Sequence, residues 1–336
     1  MEDREFYTSY NGYLRRRYGR PVFRVGVDAG FSCPNREAGG CTYCESQGAR
    51  AAWLRNDSHR DLKDLPLEER FLSIRTQVES GIRFLRRRYG AEGFILYFQA
   101  NTNTYGSPEE LRSLYEYALS LEDFCGFVVS TRSDCLDGET ADLLASFRTD
   151  RRDVWVELGL QTSSDRLLDS IGRGHDRRSF LESWRLLEER EIPGVIHLIL
   201  GLPGETREER EDTLELMNLL NPRGIKLHNL HIPRGTGMYR EFLRGEITAP
   251  SGPRHLDSLV YFLERLPEEM VILRITCDTP GGPGAPRYFW NKSRLYQALA
   301  REFLRRDSRQ GALREEFLAR RREERGNRPL FFPEAL

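Results

Sequence analysis

Long hydrophobic runs are absent from this sequence, and their absence excludes one class of protein. None of the 336 residues belongs to an uninterrupted apolar stretch of about 18 residues, the length at which a membrane-spanning helix is considered. The first five residues, Met1 to Glu5, are mostly charged and lack the apolar core of a secretion signal. We therefore expect a cytoplasmic protein without a membrane span.

Cysteine is also scarce, and this argues against a disulfide-stabilised scaffold. The chain has six cysteines, and their spacing is unlike the framework of a small secreted domain. Hydrophobic residues make up 39% of the sequence, which is enough to build a core without covalent cross-links. We expect reduced thiols and no disulfides.

Charge is balanced overall but unevenly distributed. The 51 basic and 52 acidic residues give a net charge of −1. Arginine is concentrated in runs at 15–17 and 86–88 and through 301–328. Such runs usually lie on solvated helix faces, and the alternative is a surface for nucleic acid or for an anionic substrate.

Seven short apolar segments are typical of buried parallel strands. They are Val22–Val27, Phe94–Phe98, Gly126–Ser130, Val154–Leu158, Val195–Leu200, Ile225–His228 and Val271–Ile275. Helical patterns lie between them, including a helix that begins at Ser107 and Pro108 and one with a capping box at Thr206. This alternation predicts an α/β fold, a partial or complete parallel (β/α) barrel, because polar residues cluster where the strands end.

The barrel is expected to occupy only part of the chain. We assign residues 1–278 to the barrel with an N-terminal extension and residues 279–336 to a C-terminal helical extension and tail. The boundary falls at Pro280–Pro286, a loop of glycine and proline. The last residues, including Arg328–Pro333, are expected to be extended.

Three cysteines carry the strongest chemical signal. Cys33, Cys41 and Cys44 follow the first predicted strand with the spacing C-x7-C-x2-C. Three thiolates suit an iron–sulfur cluster that keeps one iron free for a ligand. A zinc site is the alternative, but it usually needs a fourth protein ligand, and His59 is the nearest candidate. Three chance free thiols are a third interpretation.

Three further motifs follow in order. They are Glu157-Leu-Gly-Leu-Gln161-Thr162, Arg173-Gly-His-Asp176 and Gly201-Leu-Pro-Gly-Glu205. Together with the cysteine loop they resemble the radical S-adenosylmethionine (SAM) enzymes. The likeness is to the YhcC-like group, which is related to the radical SAM domain of the Elongator catalytic subunit and to oxygen-independent coproporphyrinogen oxidase. It runs from about Tyr13 to Thr276.

The resemblance implies the cofactors and the reaction. Cys33, Cys41 and Cys44 would hold a [4Fe–4S] cluster whose free iron binds SAM. Reductive cleavage would give a 5′-deoxyadenosyl radical that abstracts hydrogen from a substrate. A reductant protein such as a flavodoxin or a ferredoxin is implied. The substrate is unknown: the relation to the Elongator domain and the arginine runs suggest RNA or a nucleotide-like molecule, and a small molecule is equally open.

The resemblance also places SAM-binding residues. Arg173 corresponds to an arginine that binds the SAM carboxylate, Gln161 approaches the ribose, and Gly201 allows close approach of adenine. His197 stands where relatives have a ribose-binding aspartate, so its role is open. For Gln99 and Asn101 only the location carries over, because the family's Gly-Gly-Glu-like segment is absent there.

Other candidates come from the residues themselves. Arg132 can pair with a carboxylate of SAM or of substrate. Glu157 is an ionisable group in an apolar strand and needs a partner or a function. Lys226 and His228 share one face of the sixth strand and would face the substrate if that face lines the barrel. Two scattered thiols near strand ends, Cys135 and Cys277, are either hydrogen-atom donors or ordinary half-buried cysteines.

Two other functions remain as alternatives. One is a zinc-stabilised binding protein on a barrel scaffold. The other is a non-catalytic adaptor with a vestigial cluster. Metal content distinguishes the zinc-stabilised protein from a radical SAM enzyme, and SAM cleavage distinguishes the enzyme from the non-catalytic adaptor.

Overall fold

Seven parallel strands form the centre of the molecule in a computed structural model that describes residues 5–36, 39–44, 65–277 and 290–326. The strands are β1 (Val22–Val27), β2 (Gly93–Phe98), β3 (Gly126–Thr131), β4 (Asp153–Gln161), β5 (Gly194–Leu200), β6 (Gly224–Asn229) and β7 (Val271–Arg274). They pair in sequence order, and every pairing is parallel. All seven predicted strands are present; β4 runs three residues past its predicted end.

The sheet curls into a half-barrel. Side chains of strands that are not neighbours meet across its inner face: Arg24 of β1 contacts Glu157 of β4, and Tyr97 of β2 contacts Lys226 of β6. Within the described residues β1 and β7 remain the two edges of the sheet and do not pair. Of the two forms predicted, the partial barrel is therefore confirmed.

Helices surround the sheet, and most of them cover its outer face. They are α1 (Tyr10–Tyr18), α2 (Leu67–Tyr89), α3 (Pro108–Leu119), α4 (Gly138–Ser146), α5 (Asp165–Ser170), α6 (Arg177–Glu189), α7 (Arg207–Leu220), α8 (Gly237–Leu243), α9 (Gly252–Leu263), α10 (Lys292–Arg306) and α11 (Arg314–Arg325). Ser107 caps α3 by accepting from the amide of Glu110, and Thr206 and Glu209 form the predicted capping box of α7. None of these described helices is long and apolar enough to cross a membrane.

The two faces of the sheet differ in chemistry. The outer face carries apolar residues such as Leu96, Phe127 and Leu198, which pack under the helices in one large core. The inner face is polar at mid-height and apolar at its amino end. There the aromatic rings of Tyr10 and Tyr13 from α1 pack on Trp155 of β4 and close the lumen. The candidate site described below lies at the opposite end of the lumen, at the carboxyl ends of the strands.

The C-terminal helices are fastened to the barrel by ion pairs. Arg321 of α11 is 5% exposed and binds the carboxylates of Asp212 and Glu215 on α7. The predicted loop Pro280–Pro286 and the extended end Arg328–Pro333 lie outside the described residues. The boundary at residue 278 therefore stays a prediction.

Candidate cofactor site

The cysteine loop begins in a fixed position as the chain leaves β1. Asp28 exchanges two hydrogen bonds with the amide of Gln77 on α2: its backbone N–H donates to Oε1 over 2.8 Å, and its carbonyl accepts from Nε2 over 2.7 Å. The carboxylate of Asp28 also accepts from the amide of Gly30 over 3.0 Å. Because Gln77 is 4% exposed, this anchor is shielded from water, and it fixes the direction in which the chain approaches Cys33.

The second half of the loop is held from two sides. The amide of Thr42 donates to the carbonyl of Ile171 at the end of α5 over 2.9 Å. The amide of Met238 in α8 donates to the carbonyl of Thr42 over 2.8 Å. Asn35 Nδ2 lies 3.3 Å from the Sγ of Cys41 and donates to the carbonyl of Gly172 over 2.8 Å. These contacts fix the position of Cys41 and its neighbours against α5 and α8.

The three thiols form no disulfide and lie close enough to affect one another. Desolvation raises the pKa of Cys44, and the charges of Cys41 and Cys33 raise it further, with Arg36 and Arg173 opposing. Among the described residues no three His, Cys, Asp or Glu side chains converge enough to hold one metal ion. A cluster requires less convergence, because each thiolate binds a different iron. His59, the zinc alternative's extra ligand, lies outside the described residues.

Arg173 connects the cysteine loop to the end of β4. Its Nη2 donates to the carbonyl of Gly159 over 2.7 Å, and its Nη1 lies 3.9 Å from the Sγ of Cys41. The side chain is 7% exposed, and its Nε is buried without a partner. A Cβ at position 159 would lie 2.7 Å from Arg173 Nη2 and 2.8 Å from Gln161 Nε2. Glycine at this position therefore leaves room for two of the predicted SAM-binding residues.

Two of the predicted SAM-binding residues have left-handed backbones. Gln161 has φ +76°, sits at a bulge of β4 and is 5% exposed, and its Oε1 is buried without a partner. Asn101 has φ +61° at the end of β2, and its Oδ1 accepts from Arg36 of the cysteine loop over 3.0 Å. The backbone N–H of Gln99, two residues earlier, donates to the carbonyl of Val27 over 3.3 Å. Such conformations are costly outside glycine and are concentrated at functional sites.

Arg132 has a partner that the sequence analysis did not name. Its Nε and Nη2 each donate to the carboxylate of Asp134 over 2.8 Å, and Nη2 also donates to the carbonyl of Arg173 over 2.9 Å. It is 3% exposed, and its Nη1 is buried without a partner. Arg132 therefore supports the backbone of Arg173, and only Nη1 remains available for a ligand.

Glu157 obtains its partners from other strands. It accepts from Arg24 Nη1 over 2.7 Å and from the hydroxyl of Tyr97 over 2.6 Å, and it forms an ion pair with Lys226. These contacts hold the pKa of Glu157 well below its ordinary value against the opposing effect of burial. The carboxylate therefore lies inside the lumen, charged and fully paired. Sequence reasoning missed Arg24 and Tyr97. Each places a polar group within an otherwise apolar strand, and that pattern could have identified them.

His197 and His228 lie side by side on the inner face of β5 and β6. Their ring centroids are 4.1 Å apart, and the Nε2 of each is buried without a partner. Burial, followed by the charge of Lys226, lowers the pKa of His197 to about 3. Burial and the neighbouring His197 lower the pKa of His228 well below its ordinary value, so both rings are neutral near pH 7.

The loop that begins at Gly201, directly after β5, has a cleft on one side and an apolar cluster on the other. Gly201 has φ +84°, and with Leu202, Glu205 and Tyr261 it lines a cleft of about 640 Å³ between the β5–α7 loop and α9. No residue of the cysteine loop lines this cleft. On the other side of the same loop, Leu202 belongs to an apolar cluster that includes Ile199 and Tyr43. Because Tyr43 belongs to the cysteine loop, this apolar cluster lies on the cysteine-loop side.

The remaining cysteines occupy different surroundings. Burial, followed by Asp134, raises the pKa of Cys135 to about 12, so this thiol stays protonated. Cys277 Sγ lies 3.3 Å from Oδ1 of Asn229 at the end of β6. Cys125 is buried at the amino end of β3, far along the strand from the cysteine loop.

Comparisons with known proteins agree with this geometry. The Radical SAM superfamily model matches residues 30–217, and the Radical_SAM C-terminal domain model matches residues 222–303. Protein YtqA of Bacillus subtilis is 34% identical over 91% of this chain and 92% of its own length. Protein YhcC of Escherichia coli is 33% identical over 83% of this chain and 85% of its own length.

More distant similarities extend the same relationship. Human Elongator complex protein 3 is 26% identical over 55% of this chain and 34% of its own length. The structure of Elp3 from the archaeon Methanocaldococcus infernus superposes with a TM-score of 0.64 at 16% identity, over 87% of this chain. This chain spans 64% of that structure, and the likeness shows the fold. The first family model alone covers more than half of the sequence, and the chain belongs to the radical SAM superfamily, in its YhcC-like group.

Proposed function

We propose that this protein is a radical SAM enzyme in which Cys33, Cys41 and Cys44 hold a [4Fe–4S] cluster and the residues around Arg173 bind SAM. When bound, these groups supply reductive cleavage of SAM to methionine and a 5′-deoxyadenosyl radical, which abstracts hydrogen from the substrate. The protein's own residues bind and orient the cofactors and keep water out.

One observation carries the proposal. Three buried polar atoms on neighbouring residues, Gln161 Oε1, Arg173 Nε and Arg132 Nη1, have no partner within the protein. Leaving such a group unpaired costs about 1–3 kcal/mol. All three belong to residues predicted from sequence to bind SAM, and Arg173 lies against Cys41. A zwitterionic ligand beside the cysteine loop would satisfy both donors and the acceptor.

The surrounding residues would have separate tasks. Arg173 stabilises negative charge on Cys41 and offers its remaining N–H to a carboxylate. Gln161 presents an acceptor to a hydroxyl or an ammonium. Tyr43, Ile199 and Leu202 form the apolar wall that would exclude water from the adenine side. Gln99, Asn101, His197 and Gly201 complete the proposed SAM site.

The partners belong to the proposal as well. Radical SAM enzymes need a one-electron reductant, for which we propose a flavodoxin or a ferredoxin, in the cytoplasm. The relationship to Elongator complex protein 3 and the arginine runs support RNA or a nucleotide-like molecule as the substrate, and another small molecule is an equal candidate.

Anaerobic reconstitution tests the function. The wild type should bind about four irons and sulfides, absorb near roughly 400 nm, and release methionine and 5′-deoxyadenosine from SAM under reductant. Cys33→Ala, Cys41→Ala and Cys44→Ala should each lose both properties, while the buried Cys125→Ala should keep the iron.

Three outcomes would contradict the proposal. One colourless zinc per chain would favour the zinc-stabilised protein. A cluster without SAM cleavage would favour the vestigial adaptor. Undiminished cleavage in Cys33→Ala would refute the ligand assignment.

A further inference from the structure

A layer of polar side chains crosses the lumen of the half-barrel at mid-height. We call it the lumen layer. Its members project from the inner faces of five strands and are Arg24, Tyr97, Glu157, His197, Lys226 and His228. Beneath it the rings of α1 close the amino end of the lumen. A ligand that reaches this layer therefore enters a blind-ended well.

The carboxylate of the lumen layer, Glu157, already accepts hydrogen bonds from three neighbouring side chains. Glu157 Oε1 accepts from Arg24, and Glu157 Oε2 accepts from both Tyr97 and Lys226. Lys226 also donates to the hydroxyl of Tyr97 over 2.8 Å. Three donors already occupy most of the about four acceptor sites of this carboxylate, so Glu157 has little capacity left for a donor of the substrate.

The donors of the layer are not fully engaged. Arg24 Nη2, His197 Nε2 and His228 Nε2 are each buried without a partner. A neutral imidazole can donate from Nε2, and a guanidinium nitrogen can only donate. Arg24 Nη2 can only donate and therefore calls for a ligand that accepts hydrogen bonds, and each imidazole adds a donor to the same ligand in the tautomer that carries its proton on Nε2.

Positive charge is also in excess. Lys226 lies within the electrostatic influence of two arginines, Arg24 and Arg274, and of one carboxylate, Glu157. Burial, opposed by Glu157 and reinforced by the two arginines, lowers the pKa of Lys226 to about 7. An anion placed beside this ammonium would raise its pKa and favour the protonated form.

Lysine itself is unusual in this chain. Only three of its 51 basic residues are lysines, at positions 63, 226 and 292, and the rest are arginines. Lys292 is exposed, while Lys226 is 6% exposed. Lysine offers a compact charge whose protonation can change on ligand binding, which arginine cannot.

From these observations we propose that the lumen layer binds a terminal anionic group of the substrate, a carboxylate or a phosphate monoester. The blind end of the well favours the end of a small molecule over an internal phosphodiester of an RNA chain. That such a ligand is the enzyme's substrate rests on the function proposed above; the binding of the anion does not.

The scarcity of lysine permits a direct test in the reconstituted full-length protein. Lysine labelled with ¹³C at Cε gives three side-chain signals, and Lys226→Met identifies one of them. Inorganic phosphate and acetate are titrated in separate arms. At least one should shift the Lys226 signal saturably and raise its apparent pKa by about one unit, a tenfold change in proton affinity. Lys292 should stay unchanged.

Two arginine variants sharpen the result. Arg24→Gln should weaken the anion's effect on Lys226 about tenfold. Arg16→Gln, which removes an exposed charge, should not alter it. If Arg24→Gln does not fold, the wild-type titration decides alone.

The outcomes separate this inference from the function on which it rests. A Lys226 signal that neither anion moves, or that moves only as much as Lys292, overturns the inference. A normal anion response together with failed SAM cleavage would instead overturn the proposed function. The arm that saturates at lower concentration distinguishes a phosphate from a carboxylate.

Discussion

Arg173 Nη1 lies 3.9 Å from Cys41 Sγ, while Nη2 of the same guanidinium donates to the carbonyl of Gly159 over 2.7 Å. One side chain thus joins the cysteine loop to the end of β4. The carbonyl of Arg173 is held in turn by Arg132. This relationship makes Arg173 the point where the proposed cluster and SAM sites meet.

Replacing Arg173 should separate cluster assembly from SAM binding. Arg173→Gln keeps a polar side chain but loses the charge and the fork that would bind a carboxylate. We expect the iron content to persist and the affinity for SAM to fall at least about tenfold, or about 1.4 kcal/mol. Equilibrium dialysis with SAM and an iron assay on the same sample measure both.

A nearby arginine provides the matched control. Arg166 is exposed and pairs with Glu209, so Arg166→Gln should leave SAM affinity unchanged. Equal affinity in Arg173→Gln and the wild type would contradict the assignment.

The sequence predicts the framework of this fold well because its signals are local. The apolar segments at Val22–Val27 and Gly126–Ser130 need no tertiary information to be recognised as strands, and both strands are present. The capping box at Thr206 is likewise a local pattern. Asn101 and Gln161 were implied by the resemblance to radical SAM enzymes, and no local pattern predicts their left-handed backbones.

Long-range pairings were not predictable in the same way. Arg24 and Glu157 are 133 residues apart, and only the curl of the sheet brings them together. The hydrogen bond from the backbone N–H of Met238 in α8 to the carbonyl of Thr42 joins two residues that share no sequence motif. Arg132 was predicted to meet a carboxylate, but its partner Asp134 follows it by two residues in a short turn whose geometry the sequence does not reveal.

Gln161 should show a trade-off between stability and binding. Gln161→Gly relieves the left-handed backbone but removes the side-chain amide, whereas Gln161→Ala removes the amide and keeps the strain. We expect Gln161→Gly to be about 1 kcal/mol more stable than Gln161→Ala, with SAM affinity reduced in both. Urea unfolding and SAM binding measure the two effects, and wild-type affinity in either variant would refute a binding role.

Glu205 should make stability depend on pH in a defined window. Burial, opposed by Arg210, raises its pKa from 4.5 to about 7. Between these two values the folded state keeps a proton that the unfolded state has released, so the free energy of unfolding falls as pH rises. Above pH 7 the loss is complete, at most about 3 kcal/mol.

Glu205→Gln tests this dependence because glutamine does not titrate. It should stabilise the protein by about 2 kcal/mol at pH 8 and change little at pH 4, as measured by urea unfolding at both values. The exposed Glu208→Gln serves as control and should change stability by less than about 0.5 kcal/mol at either pH. A gain for Glu205→Gln that is equal at both values would show that ionisation is not the cause.

Arg321 should determine whether α11 stays on the barrel. Its guanidinium pairs with Asp212 and Glu215 of α7, and removing it leaves both carboxylates with Arg325 as their remaining partner from α11. Because breaking a buried pair on one side is strongly destabilising, Arg321→Ala should cost about 3 kcal/mol and expose α11 to protease. The neighbouring exposed Arg322→Ala should cost less than about 0.5 kcal/mol. Equal stability and equal protease resistance of the two variants would mean that α11 is held by its apolar contacts, such as Phe317, rather than by these ion pairs.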